Sequence, residues 1–393
     1  MKNWFVLLVT SVVLTGCGLN HQDTGVDLDT ANVDKEVASL DEEPSFFTEA
    51  FEANGEEALK QFNAKEADLP AVEQRDSGIQ ESHFLRLNGL DQYVYEVGQG
   101  DGLPVAIFLH GGPGFSYTNQ ADTLAGLSDQ VNVLFWDQIG AGQTYEANPS
   151  VEPNMVDLQD SLTDLVAYTK ARYGVDQVGI IGHSWGSALG ASYVLDHPDD
   201  VAFYVGIGQV VTPVEDEAVA LCQTRELATS LGRQNLLDQL SDISADYPNP
   251  DDFLTLAYEA AILRAVQREL GFGTADFVQY LPLLLTNQVD KLSAGDREML
   301  DRMLLNQRLY RELLATDIYA RDLEFSMPVY LISGENDIQV PRSQSEKMIG
   351  RVQAPTKEMI IIPDAGHTPM IDQEADFIQT LTTIINRTFS ANG

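Results

Sequence analysis

Along the chain, apolar and polar positions change their period several times, and each change predicts an element. His83-Phe-Leu-Arg-Leu87 and Gln92-Tyr-Val-Tyr-Glu-Val97 alternate, and Asn88-Gly89 between them predicts a β-hairpin. Pro104–Leu109 and Val131–Trp136 are continuously apolar, the pattern of strands buried on both faces. Asn154–Tyr173 carries Met155, Leu158, Leu162, Leu165 and Val166 at helical spacing and stops at Gly174. Strands follow over Gln177–Ile181 and Phe203–Ile207. From residue 213 to 323 the pattern is helical, with Leu221, Leu227, Leu236, Leu237 and Leu240, then Phe253–Leu270, then Met299–Leu314. Alternation resumes with a strand at Pro328–Ile332, a helix over Gln344–Arg351, a strand at Glu358–Ile362 and a closing helix from Gln373 to Arg387. The expected fold class is α/β: a mostly parallel central sheet flanked by helices, its core formed by 79–212 and 324–393. Residues 213–323 are expected to form an inserted helical cap.

The residues before this core follow no such pattern. Lys2, the apolar run Trp4–Leu14 and the ending Leu14-Thr15-Gly16-Cys17 predict a signal peptide over 1–16, too short to span a bilayer. The ending resembles a bacterial lipobox, which makes Cys17 the expected lipidation site and the product an exported, membrane-anchored lipoprotein on the periplasmic or extracellular face. Residues 17–78 read as an acidic tether, with a short amphipathic helix over Phe46–Ala67 that Gly55 interrupts.

Charge removes one class of function. Sixty Asp and Glu against 23 Lys and Arg give a net charge of −37 over 393 residues. A phosphate backbone would be repelled, so nucleic acid is not an expected partner. The two cysteines, Cys17 and Cys222, are expected to stay unpaired, because the first belongs to the leader. Neither a Cys-x-x-Cys nor a Cys/His cluster occurs, so a zinc site has no support.

Chemistry enters at Val178-Gly-Ile-Ile-Gly-His-Ser-Trp-Gly-Ser187. An apolar run leads to Gly182 and a small-residue helix follows Gly186, so Ser184 sits at the apex of a strand–turn–helix. That is the context of a Gly-x-Ser-x-Gly nucleophile elbow. A serine hydroxyl needs a base near neutral pH, and the base needs an orienting carboxylate. Six histidines are available. His21 lies in the tether, His83 on an early strand, His110 in a glycine turn, His183 beside the serine but pointing away, and His197 at a helix end. His367, on the loop after the Glu358–Ile362 strand, remains as the base. Asp337 follows the Val329–Ile332 strand and is the expected acid, with Glu335 its rival. His110-Gly-Gly-Pro-Gly114 follows another buried strand, where bare glycines let N–H groups approach a tetrahedral oxygen. Gly112 and Trp185 are the expected donors, with Gly111 in reserve.

Taken together, His-Gly-Gly-Pro-Gly (110–114), Trp-Asp-Gln-x-Gly-Ala-Gly (136–142), Gly-His-Ser-Trp-Gly-Ser (182–187), His-Pro (197–198), Gly-Glu-Asn-Asp (334–337) and Ala-Gly-His (365–367) resemble the prolyl iminopeptidase branch of the α/β-hydrolases. The resemblance spans about residues 80–390 in motif order. It implies a Ser-His-Asp hydrolase without metal or cofactor, releasing an N-terminal residue, often proline, from small peptides. Ile139 stands where that family has arginine. The family's cap carboxylates, which bind the substrate's free amine, imply Glu215, Asp216 and Glu217 as candidates at the start of the cap, and of these Glu215 and Glu217 are carried forward as substrate-binding residues. An ester, amide or lactone substrate would use the same mechanism. Epoxide and haloalkane hydrolases are set aside because they carry aspartate at the serine position. A non-enzymatic surface binding protein would be expected to have lost a triad member. Oligomeric state is open.

Overall fold

The computed structural model describes residues 79–390, apart from 101, 119–123, 125, 250, 272–300 and 303. The leader, Cys17, the tether and the Phe46–Ala67 helix lie outside the described residues. Eight described strands form one sheet: β1 (Ile79–Leu87), β2 (Leu90–Gly98), β3 (Val105–Leu109), β4 (Asn132–Trp136), β5 (Val178–His183), β6 (Val201–Ile207), β7 (Val329–Gly334) and β8 (Lys357–Ile362), in the order β1-β2-β4-β3-β5-β6-β7-β8. The pairs β1–β2 and β2–β4 are antiparallel and all the others parallel. The hairpin turns at Asn88 (φ 43°) and Gly89 (φ 74°), with Leu87 opposite Leu90, as the Asn-Gly pair predicts.

The continuous apolar runs are explained by the two faces. Along β3, Val105, Ile107 and Leu109 enter one core, and Ala106 and Phe108 the other. The first core is completed by Leu158, Leu162 and Leu165 of α2 (Met155–Tyr173) and Leu189 of α3 (Trp185–Asp196). The second is closed by Phe377, Leu381 and Ile384 of the final helix. Helix α2 starts where Asn154 accepts the Asp157 N–H (3.0 Å) and ends at Gly174, φ 64°. A short helix, α1 (Gly142–Ala147), precedes it and was not signalled by periodicity.

Between β6 and β7 the described residues form helices: α4 (Pro213–Ser230), α5 (Gln234–Leu240), α6 (Phe253–Glu269) and α7 (Gln307–Leu314). The first three share a separate core of Leu221, Leu236, Leu240, Leu256 and Leu263. After β7 come α8 (Arg342–Arg351), β8, α9 (Pro369–Asp372) and α10 (Glu374–Ser390). The predicted closing helix is thus preceded by a separate turn of helix at Pro369. Cys222 on α4 is disulfide-bonded, a correction to the expectation that the cysteines stay apart. The other end of that bond lies outside the described residues.

Because β3 and β5 to β8 run parallel, their carboxyl ends share one edge of the sheet. Register aligns Leu109 with Gly182, His183 with Ile207, Ile207 with Ile332, and Gly334 with Ile362. The loops that leave these residues are forced together, where open parallel sheets collect ligands.

Candidate active site

Ser184 follows β5 at φ 52°, ψ −124°, a backbone region that a residue with a side chain occupies only when its surroundings enforce it. The enforcement is visible. The Ser184 N–H donates to the Ile207 carbonyl (2.8 Å), and the Ser187 N–H (2.8 Å) and Oγ (2.5 Å) donate to the Ser184 carbonyl. A Cβ at Gly182 would lie 2.3 Å from the Gly186 carbonyl oxygen, and one at Gly186 2.2 Å from that of Leu109. Only glycine fits on either side. Ser184 occupies the N-cap of α3 without a capping side-chain bond, so its hydroxyl is not engaged there.

His367 and Asp337 arrive on the loops after β8 and β7. The His367 Nδ1–H donates to Asp337 Oδ2 (2.9 Å), and Asp337 Oδ1 accepts the N–H groups of Gln339 (3.1 Å) and Val340 (2.9 Å). Both side chains are buried. His367 Nε2 is also buried and makes no hydrogen bond. Glu335, the rival acid, instead accepts the Asp364 N–H (3.2 Å) on an exposed turn. Gly208, at φ 53°, gives the pair room: a Cβ there would be 3.1 Å from His367 Cε1 and 3.3 Å from Asp337 Oδ2. Nothing in the local sequence singled out that glycine, since its need arises from loops contributed by later strands.

The glycine turn after β3 packs on the serine. A Cβ at Gly111 would be 3.3 Å from Ser184 Cβ, and Gly112 adopts φ 125°. Trp185 opens α3, whose first N–H groups have no partners within the helix. The Trp185 indole is buried and donates to Gln138 Oε1 (2.8 Å). Gln138 in turn donates through Nε2 to the His110 carbonyl (3.2 Å) and through its backbone N–H to His110 Nε2 (3.1 Å). The His110 Nδ1–H then closes on the Gly111 carbonyl (2.8 Å). Burial lowers the His110 pKa to about 4, so the ring is neutral. His110 and Gln138 therefore brace the glycine turn against the elbow, a role their sequence positions did not reveal.

His183 ends β5 and is buried as well. Its Nε2 donates to the His367 carbonyl (2.9 Å), and its ring centroid lies 4.9 Å from that of His367. Asp137, buried behind the turn, accepts from Ser116 Oγ (2.5 Å) and the Gln143 N–H (2.8 Å). Burial raises its pKa to about 6 against these hydrogen bonds.

The inserted helices also reach these loops. Asn306, fully buried before α7, donates through Nδ2 to the carbonyls of Gly140 (3.0 Å) and Arg302 (2.6 Å). Its amide fills a notch that would be closed by a Cβ at Gly114 (2.9 Å from Nδ2) or Gly140 (2.7 Å from Oδ1). Tyr310 donates to the Pro113 carbonyl (3.3 Å). On the opposite side, Gln267 of α6 donates to the Ile338 carbonyl (2.8 Å), one residue past Asp337.

The acidic run that opens α4 is engaged elsewhere. Glu215 pairs with Lys347 of α8 (2.6 Å). Burial works to raise its pKa, but Lys347, Gln344 and Thr212 outweigh that and hold it low. Asp216 accepts from the Val211 N–H (3.1 Å) and Gln344 (3.0 Å), and burial raises its pKa to about 7. Glu217 is ion-paired with Arg264 and accepts from the Tyr247 hydroxyl (2.5 Å). The structure joins Ser184, His367, Asp337 and the 110–114 turn along one edge. It gives Glu215 and Glu217 to ion pairs.

Residues 104–374 match the alpha/beta hydrolase fold family, and the chain belongs to it. It is 33% identical over 319 residues to a proline iminopeptidase of Saccharolobus solfataricus, covering 79% of this chain and 94% of that protein. It is 27% identical over 290 residues to a probable aminopeptidase, YbaC, of Bacillus subtilis, covering 71% and 88%. Among solved structures, a proline iminopeptidase-related protein from Thermus thermophilus superposes with a TM-score of 0.53 at 18% identity, covering 79% of this chain and 98% of the other. An esterase from Exiguobacterium antarcticum gives 0.51 at 15%, covering 78% and 100%. At these identities the structural likenesses establish the fold alone.

Proposed function

We propose that this hydrolase acts through Ser184, His367 and Asp337 as an aminopeptidase, releasing N-terminal proline or another small residue from short peptides. One observation carries the mechanism: Asp337 holds the Nδ1–H side of His367, which leaves the buried Nε2 lone pair without a partner. Ser184 Oγ attacks the carbonyl carbon as Nε2 takes its proton. The resulting oxyanion is received by the N–H groups of Gly112 and Trp185, with Gly111 in reserve and the positive end of α3 behind them. Such donors contribute about 3 kcal/mol to a transition state. The protonated His367 then gives its proton to the departing amine, leaving an acyl-enzyme. Water, deprotonated by the same nitrogen, releases the acid and restores the serine. No step calls on a metal or cofactor.

The two curated relatives, named as a proline iminopeptidase and a probable aminopeptidase, support the peptide substrate. A second reading keeps the mechanism and exchanges the substrate for a small ester, amide or lactone. It is favoured by the commitment of Glu215 to Lys347 and of Glu217 to Arg264, since neither carboxylate is left over for a substrate amine. Hydrolysis of aminoacyl-arylamides with free and blocked amines, beside short p-nitrophenyl esters, separates the two, with Ser184→Ala as the control. Turnover only of free-amine arylamides supports the aminopeptidase. Ester turnover alone assigns the second reading, and serine-independent activity overturns both.

Export behind the 1–16 leader belongs to the same proposal. Anchoring through an acylated Cys17 competes with the Cys222 disulfide, because Cys17 is the only other cysteine of the sequence and one sulfur cannot make both. Intact-mass analysis of the membrane fraction decides: a diacylglyceryl adduct on an N-terminal Cys17 with a free Cys222 thiol supports the anchor, and a reducible Cys17–Cys222 bond overturns it.

A further inference from the structure

His183 enters the sequence reading only as the variable residue of the elbow, yet it adjoins Ser184, His367 and the Gly111 turn. It is covalently joined to Ser184. Its Nε2 lies 2.9 Å from the His367 carbonyl oxygen, and the two rings are 4.9 Å apart at 42°. A Cβ added to Gly111 would come within 3.0 Å of its Nδ1. The Tyr117 hydroxyl is 3.4 Å from that nitrogen, and the two rings meet edge-on at 5.6 Å.

The partners fix the tautomer. A carbonyl can only accept, so Nε2 carries the proton, and Nδ1 is left as an acceptor facing Tyr117. We infer that His183 is a positioning residue: its Nε2–H pins the backbone of His367, and so sets where the His367 ring stands relative to Ser184 and the Gly111 turn. The inference rests on the serine-hydrolase reading given above.

Histidine suits this place for reasons of charge and shape. A lysine or arginine would put a permanent cation beside the imidazolium that forms on His367 during attack. An apolar residue would leave the His367 carbonyl without its donor. The neutral imidazole supplies a rigid N–H without charge: burial above all, then the charge on His367, lowers the His183 pKa to about 3. The ring remains a neutral donor throughout the working range.

His183→Gln keeps an N–H at the Nε2 position, and His183→Leu keeps volume without a donor. The expected result for Leu is a kcat lower by roughly tenfold to a hundredfold, the scale of a small misplacement of a catalytic group. KM should stay within about twofold, and fluorophosphonate labelling of Ser184 should slow in parallel. Gln should restore most of the rate, and both variants should melt near the parent. In proton NMR, the downfield Nδ1–H of His367 should persist in Gln and broaden in Leu. Should Leu fail to fold, Tyr117→Phe, which removes the donor to Nδ1, is expected to lower kcat severalfold with KM unchanged. Equal rates for Gln and Leu, or an unaltered NMR signal in both, would overturn the inference. If the parent itself shows no Ser184-dependent turnover, the functional reading fails, and the NMR signal still decides the positioning role on its own.

Discussion

At the carboxyl edge of the sheet, polar side chains are held by backbone. Asp337 takes two N–H groups, His183 and His110 each donate to a carbonyl, and Gln138 joins both kinds. Within the helices between β6 and β7, one group of side chains is linked in series: Glu217 pairs with Arg264, Arg264 donates to Gln267 (3.1 Å), and Gln267 to Thr224 (3.1 Å). Glu226 and Glu259 each bury a carboxylate oxygen without any partner there. Backbone anchors belong to the fold and survive changes in neighbouring side chains. Side-chain pairs must change together, but they can be exchanged. The contrast teaches that the proposed chemistry would rest on backbone-anchored groups, while this series of side chains within the insertion is open to exchange.

The contrast can be broken most severely at the edge. Ser184→Ala should lower turnover by about 10⁴-fold or more, with fluorophosphonate labelling lost and the melting temperature little changed. Appreciable residual turnover would detach the chemistry from this edge. Asp337→Asn should cost about 10⁴-fold in kcat, because an amide no longer holds His367 in the required tautomer. Glu335→Gln should remain within about twofold, and steady-state kinetics on the pair distinguishes the two acids.

In the inserted helices the expected loss is in stability. Arg264→Met strands Glu217, whose pair is largely buried, and should destabilise by about 3 kcal/mol in urea titration, with kcat changed only severalfold. A collapse in kcat with unchanged stability would erase the distinction between the regions.

Acid sharpens the comparison further. His183 has a folded pKa of about 3, well below its ordinary 6.5, so it binds its proton more readily when unfolded. Its contribution to stability is whole above pH 6.5 and is lost as pH falls toward 3. His110, with a pKa of about 4, acts in the same direction. Asp137 and Asp216, raised by burial to about 6 and 7, act oppositely and take stability away as pH rises from 3.8 through those values. Comparing His183→Gln with the parent isolates one term. The variant should gain about 2 kcal/mol relative to the parent between pH 7 and pH 5 by urea titration. A difference independent of pH would mean that His183 takes up its proton as readily in the fold as in the unfolded chain.

Much of this was legible in the chain because it depends on neighbours in sequence. The strand before Ser184, its flanking glycines, the Asn88-Gly89 hairpin and the Gly174 stop all express local demands. The loops that carry Asp337 and His367 could be read because each follows one of the last two strands of the chain, β7 and β8. The roles of His183 and His110 were not legible, since their partners are carbonyls reached across strands or around a turn, and many side chains could sit in the same local pattern. The ion pairs of Glu215 and Glu217 were illegible for the complementary reason. A linear run of acid says nothing of Lys347 and Arg264, which lie 132 and 47 positions away. The insertion's boundaries and any amine-binding group within it pose the same difficulty.

Asn306 sits 166 positions beyond the Gly140 carbonyl that it holds, in a notch bordered by turns from two earlier strands. A chain emerging from the ribosome therefore displays the elbow and both glycine turns well before the amide that fills the space between them exists. Asp337 and His367 come later still. On the proposed mechanism, an interrupted translation product would carry the serine without its base, and competence would appear only once the final third of the polypeptide had been made and folded back.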